Sequence, residues 1–282
     1  MSRGSAGGAT RTFGVIGWPV VHSLSPAIHN AAIEALGIDA IYVPLPVRPG
    51  SLPEALAGLE GLGFSGANVT MPHKTEAAGL MAVTSEDAAR LQAVNTIVVA
   101  DGGLAGHNTD APGFERMLRH DEGFDAAGAS VLLIGAGGAA RACALALARA
   151  RAARIAVAVR DTASAGALLH ALEGLDTTVD VLTLGDAPGV RADLIVNATP
   201  LGAQGEEVPT PPLEPGMLVI DLLYEPSVTP LVTRARAAGA SAAAGLGLLL
   251  HQAALSFELW TGQVPPIDVM SAAALAAIAD RA

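Results

Sequence analysis

Cysteine is nearly absent. The single Cys143 excludes an internal disulfide framework and any zinc site built from several cysteines. Basic charge is scarce as well: 16 Lys and Arg stand against 27 Asp and Glu, for a net charge of −11. That balance argues against a nucleic-acid coat or a polybasic membrane anchor, though not against a local anion site. Aromatic residues make up only 3% and charged residues 15% of the 282 positions. Apolar runs such as 131–134 and 245–250 are too short to span a bilayer. Residues 1–12 lack the apolar stretch of a secretory signal and read as a disordered tail. A cytoplasmic protein without a membrane partner is the expectation. What the chain has in quantity is small apolar residues. The hydrophobic class reaches 51%, much of it alanine, which can fill a sizeable core and excludes disorder as the main state.

Strand-like runs alternate with helix-like stretches. Strands are expected at 13–16, 41–45, 67–69 and 96–99, the last forming a hairpin through 107 that turns at Asp101-Gly102-Gly103. Helices are expected from Ser25, as N-cap with Pro26 behind it, to Leu36, and at 52–59. A second series places strands at 131–134, 155–159, 179–182, 194–197 and 218–221, with helices at 139–150, 163–172 and 228–238. The tail returns to helix at 246–260 and 269–279. Such alternation implies an α/β chain with parallel sheets. Joints near Pro112 and Gly247 give two domains, 1–112 with 247–282, and 113–246.

The apolar run 131–134 leads into Gly135, Ala136, Gly137, Gly138 and Ala139, then a helix. Strand, glycine turn and helix come in the order a dinucleotide site needs: a tight turn at Gly135, close backbone approach at Gly137, and free N–H groups from Gly138 onward. A glycine turn by itself is a weak signal; this context strengthens it. After the next strand come Arg160 and Asp161. Arg pairs with a 2′-phosphate and so favours NADP, whereas an acid accepts from a free 2′-hydroxyl and favours NAD. Arg160 directly follows the strand, so NADP is the expected cofactor with NAD as the alternative. Thr199, in the turn after another strand, is placed to touch it.

The first half carries a spaced polar set: Ser23, Ser25, Asn68, Thr70, Lys74, Asn95 and Asp110. Each has a plain structural reading, as helix cap, backbone partner or surface lysine. Four histidines, His22, His73, His107 and His251, adjoin these motifs, but no pair has the spacing of a metal-binding helix, and no metal is expected. Cys143 reads as a small core residue.

Together the segments resemble one family. GVIGWP at 14–19 with HSLSP at 22–26, ANVTMPHK at 67–74, QAVNT at 92–96 and GHNTD at 106–110 are similar to signature segments of shikimate dehydrogenases. GAGGA at 135–139, NATPLG at 197–202, DLLY at 221–224 and GLGLLLHQ at 245–252 continue the likeness in family order. The resemblance implies NADPH-linked, reversible reduction of 3-dehydroshikimate to shikimate, on the route to chorismate and aromatic amino acids. It implies that Ser23 and Ser25 hold the substrate carboxylate with Tyr224 nearby, that Asn68, Thr70, Asn95 and Gln252 read ring hydroxyls, and that Lys74 and Asp110 form the catalytic pair. It implies further that Glu86, Leu222 and Gly245 line the cofactor cleft between the two domains. An adjacent carboxylate raises a lysine pKa, so Lys74 acts either as the base or as a charged donor. Acid at position 161, where family members often carry Thr, keeps an NAD-dependent quinate/shikimate dehydrogenase as the alternative. A non-catalytic dinucleotide-binding regulator is the alternative of another class. The chain would act as a monomer or homodimer on a small molecule.

Overall fold

The computed structural model describes residues 7–225 and 228–281. In chain order its elements are β1 (Arg11–Gly17), α1 (Ser25–Ala35), β2 (Ala40–Pro46), α2 (Leu52–Gly61), β3 (Gly66–Val69), α3 (Lys74–Ala78), β4 (Val83–Thr84), α4 (Glu86–Leu91), β5 (Thr96–Ala100) and β6 (Gly103–His107). Then come α5 (Asp110–Arg116), β7 (Ser130–Ile134), α6 (Gly138–Arg149), β8 (Arg154–Val159), α7 (Gly166–Ala171), β9 (Thr178–Thr183), β10 (Leu194–Asn197), β11 (Leu218–Asp221), α8 (Pro230–Ala237) and β12 (Ser241–Ala244). Helices α9 (Leu246–Thr261) and α10 (Ile267–Ala279) close the chain.

The chain divides into two compact units: Met1–Thr109 with Gln252–Ala282, and Asp110–His251. The joints fall at the start of α5 and within α9, near Pro112 and Gly247. Pro112 lies in the first turn of α5, where a missing N–H costs nothing, and Gly247 lies inside α9.

The first unit holds a six-stranded sheet ordered β2-β1-β3-β5-β6-β4. Pairs β1–β2, β1–β3 and β4–β6 are parallel, while β3–β5 and β5–β6 are antiparallel, so the sheet is mixed rather than wholly parallel. The hairpin at 101–103 accounts for the β5–β6 pair, because two adjacent strands joined by a short turn must run opposite ways. Ile16, Leu56, Leu59, Val69, Val94 and Ile97 form a core on this sheet. Trp260 seals it. Its indole N–H donates to the Ile97 carbonyl at 2.9 Å and its ring stacks on Phe13 at 5.0 Å. Gly66 is required there, since a Cβ would collide with the Trp260 ring. The tail expectation is corrected: Arg11 and Thr12 pair with Ala40 and Ile41 in β1, whereas residues 1–6 lie outside the described residues.

A buried imidazole gives this unit an acid sensitivity. His29 is 1% exposed and stacked on Tyr42 at 4.3 Å, and burial holds its pKa down at about 3. Unfolded chains bind that proton below about pH 6.5 and the folded one does not, so stability falls as pH drops from 6.5 towards 3. Between pH 7 and pH 5, His29→Phe is expected to lose about 2 kcal/mol less stability than the parent. Urea midpoints at the two pH values measure the difference, and equal losses would refute it.

The second unit holds a sheet ordered β12-β11-β10-β7-β8-β9, parallel throughout. Counting its strands from β7, the order is 3-2-1-4-5-6, that of a dinucleotide-binding Rossmann sheet. Strands buried on both faces need continuous apolar runs, and Val131, Leu132, Leu133 and Ile134 supply one. The helix expected at 163–172 is split: a 3₁₀ turn at Thr162–Ala165 precedes α7, because the Asp161 side chain caps that turn. Helix α8 starts at Pro230 rather than 228, with Thr229 as its N-cap accepting from the Val232 N–H at 3.2 Å.

Candidate active site

In the first unit the parallel strands β1 and β3 end side by side, and the turns behind them carry the predicted polar residues. Trp18 N–H donates to the Met71 carbonyl at 3.0 Å and Thr70 N–H to Ile16 at 2.8 Å, which ties the two turns together. Gly17 allows this approach, because a Cβ there would run into the Thr70 methyl. Ser25 opens α1 but does not cap it. The N-cap is Leu24, without a side-chain cap, and the Ser25 N–H instead donates to Ser23 Oγ at 3.2 Å. Ser25 itself is buried. Lys74 opens α3, and its carbonyl accepts from Val94 N–H at 2.8 Å. The preceding His73 is buried and donates from Nε2 to the Val47 carbonyl at 2.7 Å, anchoring the turn.

Behind these turns lies a buried amide–hydroxyl network. Asn68 Nδ2 faces the Asn95 carbonyl at 3.1 Å, Thr96 Oγ1 at 3.1 Å and Ser256 Oγ at 3.0 Å, and its Oδ1 accepts from Tyr42 Oη at 2.7 Å. Asn95 Oδ1 accepts from Thr109 N–H at 2.8 Å and from the Thr96 hydroxyl at 3.0 Å. Its Nδ2 donates to Thr109 Oγ1 at 2.9 Å and to Gln252 Oε1 at 3.4 Å. Asn68, Asn95 and Gln252 are therefore brought together, with Tyr42 bonded to Asn68. Thr70 and Lys74 stand on the adjoining turn. Next along the chain, Asn108 Nδ2 donates to the Ala93 carbonyl at 2.9 Å, fixing the strand end that leads to the buried Asp110 at the start of α5.

In the second unit β7 and β10 are neighbours, and the order reverses between them, which is where ligands bind in such sheets. Gly135 follows β7 at φ +109°, and a Cβ there would sit 2.8 Å from Thr199 Cγ2. Gly137 is the N-cap of α6, has no side-chain cap, and a Cβ on it would meet nothing within 4 Å. Backbone N–H groups at a long helix start, open to close approach, fit a pyrophosphate. A cavity of about 810 Å³ runs from this turn past Arg160, Asp161 and Ser164 to Thr199, Leu201 and Glu206, a size that suits a dinucleotide half. Asp161 Oδ1 accepts from Ala163 N–H at 3.0 Å and so acts as a turn cap, which accounts for the acid beside Arg160 without a ribose. Thr199 Oγ1 donates to Asn197 Oδ1 at 2.7 Å, and Asn197 Nδ2 donates to Asp221 at 2.9 Å. Asp221 is fully buried; burial raises its pKa, opposed by hydrogen bonds from Thr229, Leu223 and Asn197. This knot fixes the loop of Leu222 and Tyr224, and Gly245 packs its Cα against the Leu222 backbone.

Gly138 and Ala139 form the first turn of α6. Glu86 opens α4 in the first unit, exposed and outside the cavity lining. Cys143 is buried, and burial with the nearby Asp110 charge pushes its thiol up, as suits a core residue. His251 Nε2 donates to Asp121 at 2.9 Å, a structural pair. Among the described residues no cluster of three His, Cys, Asp or Glu could hold a metal. Tyr42, Thr96, Thr109 and Ser256 were not singled out from sequence. Ser256 had one available signal: it stands one helical turn after Gln252 and so shares its face.

A Rossmann-ordered unit with an open glycine turn, in a chain whose other unit presents a lysine and a buried amide network, defines a nicotinamide-dependent oxidoreductase acting on a small polar substrate. Residues 15–97 match the shikimate dehydrogenase substrate binding domain, and residues 245–275 the shikimate 5′-dehydrogenase C-terminal domain. The chain is 43% identical over 275 residues, covering 94% of it and 95% of the relative, to shikimate dehydrogenase (NADP⁺) of Citrifermentans bemidjiense. It is 46% identical to the enzyme of that name from Moorella thermoacetica, over 93% of this chain and 92% of that one. The crystal structure of shikimate 5-dehydrogenase from Thermus thermophilus, in complex with NADP(H) and shikimate, superposes with a TM-score of 0.85 at 36% identity, covering 95% of this chain and 100% of that one. The chain belongs to the shikimate dehydrogenase family.

Proposed function

We propose that this protein catalyses the reversible NADP-linked reduction of 3-dehydroshikimate to shikimate. The observation that carries the reading is the Lys74 turn set against the Asn68–Asn95–Gln252 network in one unit of a chain whose other unit has the dinucleotide-binding order. Bound NADPH would supply the hydride to carbon 3. Gly137 to Ala139 would hold the pyrophosphate and Arg160 the 2′-phosphate. Ser23 and Ser25, with Tyr224, would bind the carboxylate through neutral donors. Asn68, Thr70, Asn95 and Gln252 would pair the ring hydroxyls, so an analogue lacking one leaves a buried group unpaired and is rejected. Lys74 would give a proton to the carbonyl oxygen as it becomes an alcohol and take it back in the reverse direction, oriented by Asp110. A cytoplasmic location, where Cys143 stays reduced, and action as a monomer or homodimer are part of the same proposal. No helix among the described residues is long and apolar enough to cross a membrane.

The test is absorbance of the reduced nicotinamide with shikimate or quinate and with NADP⁺ or NAD⁺. Shikimate with NADP⁺ is expected to give the highest kcat/KM, and Arg160→Ala to raise the KM for NADP⁺ roughly tenfold or more while sparing that for NAD⁺. Higher kcat/KM for quinate or NAD⁺ would replace the proposed substrate or cofactor.

A further inference from the structure

We propose that Tyr42 is a positioning residue for the substrate site, holding the Asn68 amide so that it offers an acceptor to a substrate hydroxyl; this rests on the assignment of Asn68 to the substrate made above. The Asn95 carbonyl can only accept, so Asn68 must turn its Nδ2 towards it. Thr96 and Ser256 take up the rest of that NH₂ group, with three oxygens around two N–H bonds. Asn68 therefore has no donor to spare. Its Oδ1 points at Tyr42 Oη, which must be the donor in that 2.7 Å contact. In the proposed complex a substrate hydroxyl would donate to the second lone pair of Oδ1.

Tyr42 is built for that place. It is 2% exposed, and burial keeps its phenol protonated well beyond the ordinary range. Asn30 brackets its backbone, accepting from Tyr42 N–H at 2.9 Å and donating to its carbonyl at 2.8 Å. His29 stacks on the ring at 4.3 Å and an interplanar angle of 11°. Phenylalanine would keep the ring, the stack and the backbone bonds and remove only the donor, freeing Asn68 Oδ1 of its partner.

Steady-state kinetics of the full chain with shikimate and NADP⁺ test this, on Tyr42→Phe, Asn68→Ala and the double variant. Tyr42→Phe is expected to raise the shikimate KM about tenfold and leave the NADP⁺ KM within about twofold. Because Tyr42 acts through Asn68, the double variant should be no worse than Asn68→Ala alone. If Tyr42→Phe does not fold, Ser256→Ala, which removes one acceptor from the same amide, is expected to raise the shikimate KM about twofold to threefold. A wild-type KM in Tyr42→Phe, or effects that multiply in the double variant, overturns the role of Tyr42. A parent protein that oxidises no shikimate with either cofactor overturns the functional reading and, with it, this inference.

Discussion

Lys74→Ala is expected to lower turnover by roughly a hundredfold or more while leaving the shikimate KM close to the parent value. The split follows from where the lysine sits. Its backbone is held by the Val94 N–H at 2.8 Å, and the buried His73 beside it anchors the turn. The side chain is half-buried at the start of α3, and losing its methylenes removes little core. The substrate's carboxylate and ring hydroxyls have other proposed partners in Ser23, Ser25, Asn68 and Asn95. What disappears is the group proposed to move a proton to or from the reacting oxygen, a contribution made in the transition state and therefore seen in kcat. Initial rates across a range of shikimate concentrations separate the two parameters. Turnover within about threefold of the parent would remove Lys74 from the chemistry, and a large rise in KM alone would recast it as a binding residue.

The buried parallel strands could be read from sequence because burial on both faces forces continuous apolar runs. Residues 131–134, 155–159, 194–197 and 218–221 all form strands of the second sheet. The glycine turn was legible for the same kind of reason: Gly135 needs a positive φ and a missing Cβ, and both needs are local. Short elements were harder to see. Helix α3 has five residues, β4 two and α4 six, too few to show a period. Ser-Pro at a helix start usually means a cap at the serine, whereas here the cap position falls on Leu24 and Ser25 is already the first helical residue, its N–H taken by Ser23 Oγ. The polar residues themselves were legible as motifs, but the network joining them was not. Tyr42, Asn68, Thr96 and Ser256 come from four elements spread over most of the chain, and only the mixed sheet and α9 bring them to one place.

Gly245→Ala is expected to cut kcat by roughly a hundredfold through a displacement of the Leu222 loop. Gly245 does not sit at a positive φ, so backbone strain is not the reason. The reason is space: an added Cβ would fall on the Leu222 carbonyl and within 2.9 Å of its Cα, and backbone cannot rotate aside as a side chain can. The neighbourhood resists a shift from the other side as well. Gly245 N–H donates to Leu223 O at 3.0 Å, and Leu223 N–H donates to the buried Asp221, which Asn197 and Thr229 also hold. Since both sides of the contact are anchored, the methyl can be accommodated only by breaking one of these bonds or by moving the turn before α9. Such overpacking costs about 1–3 kcal/mol of stability, and misplacing reacting groups by about 1 Å is enough for the kinetic loss. The readouts are kcat with shikimate and NADP⁺ and the Tm of the free protein. A Tm drop with normal kcat would assign Gly245 to packing alone, whereas parent-like values for both would show that the Leu222 loop yields after all.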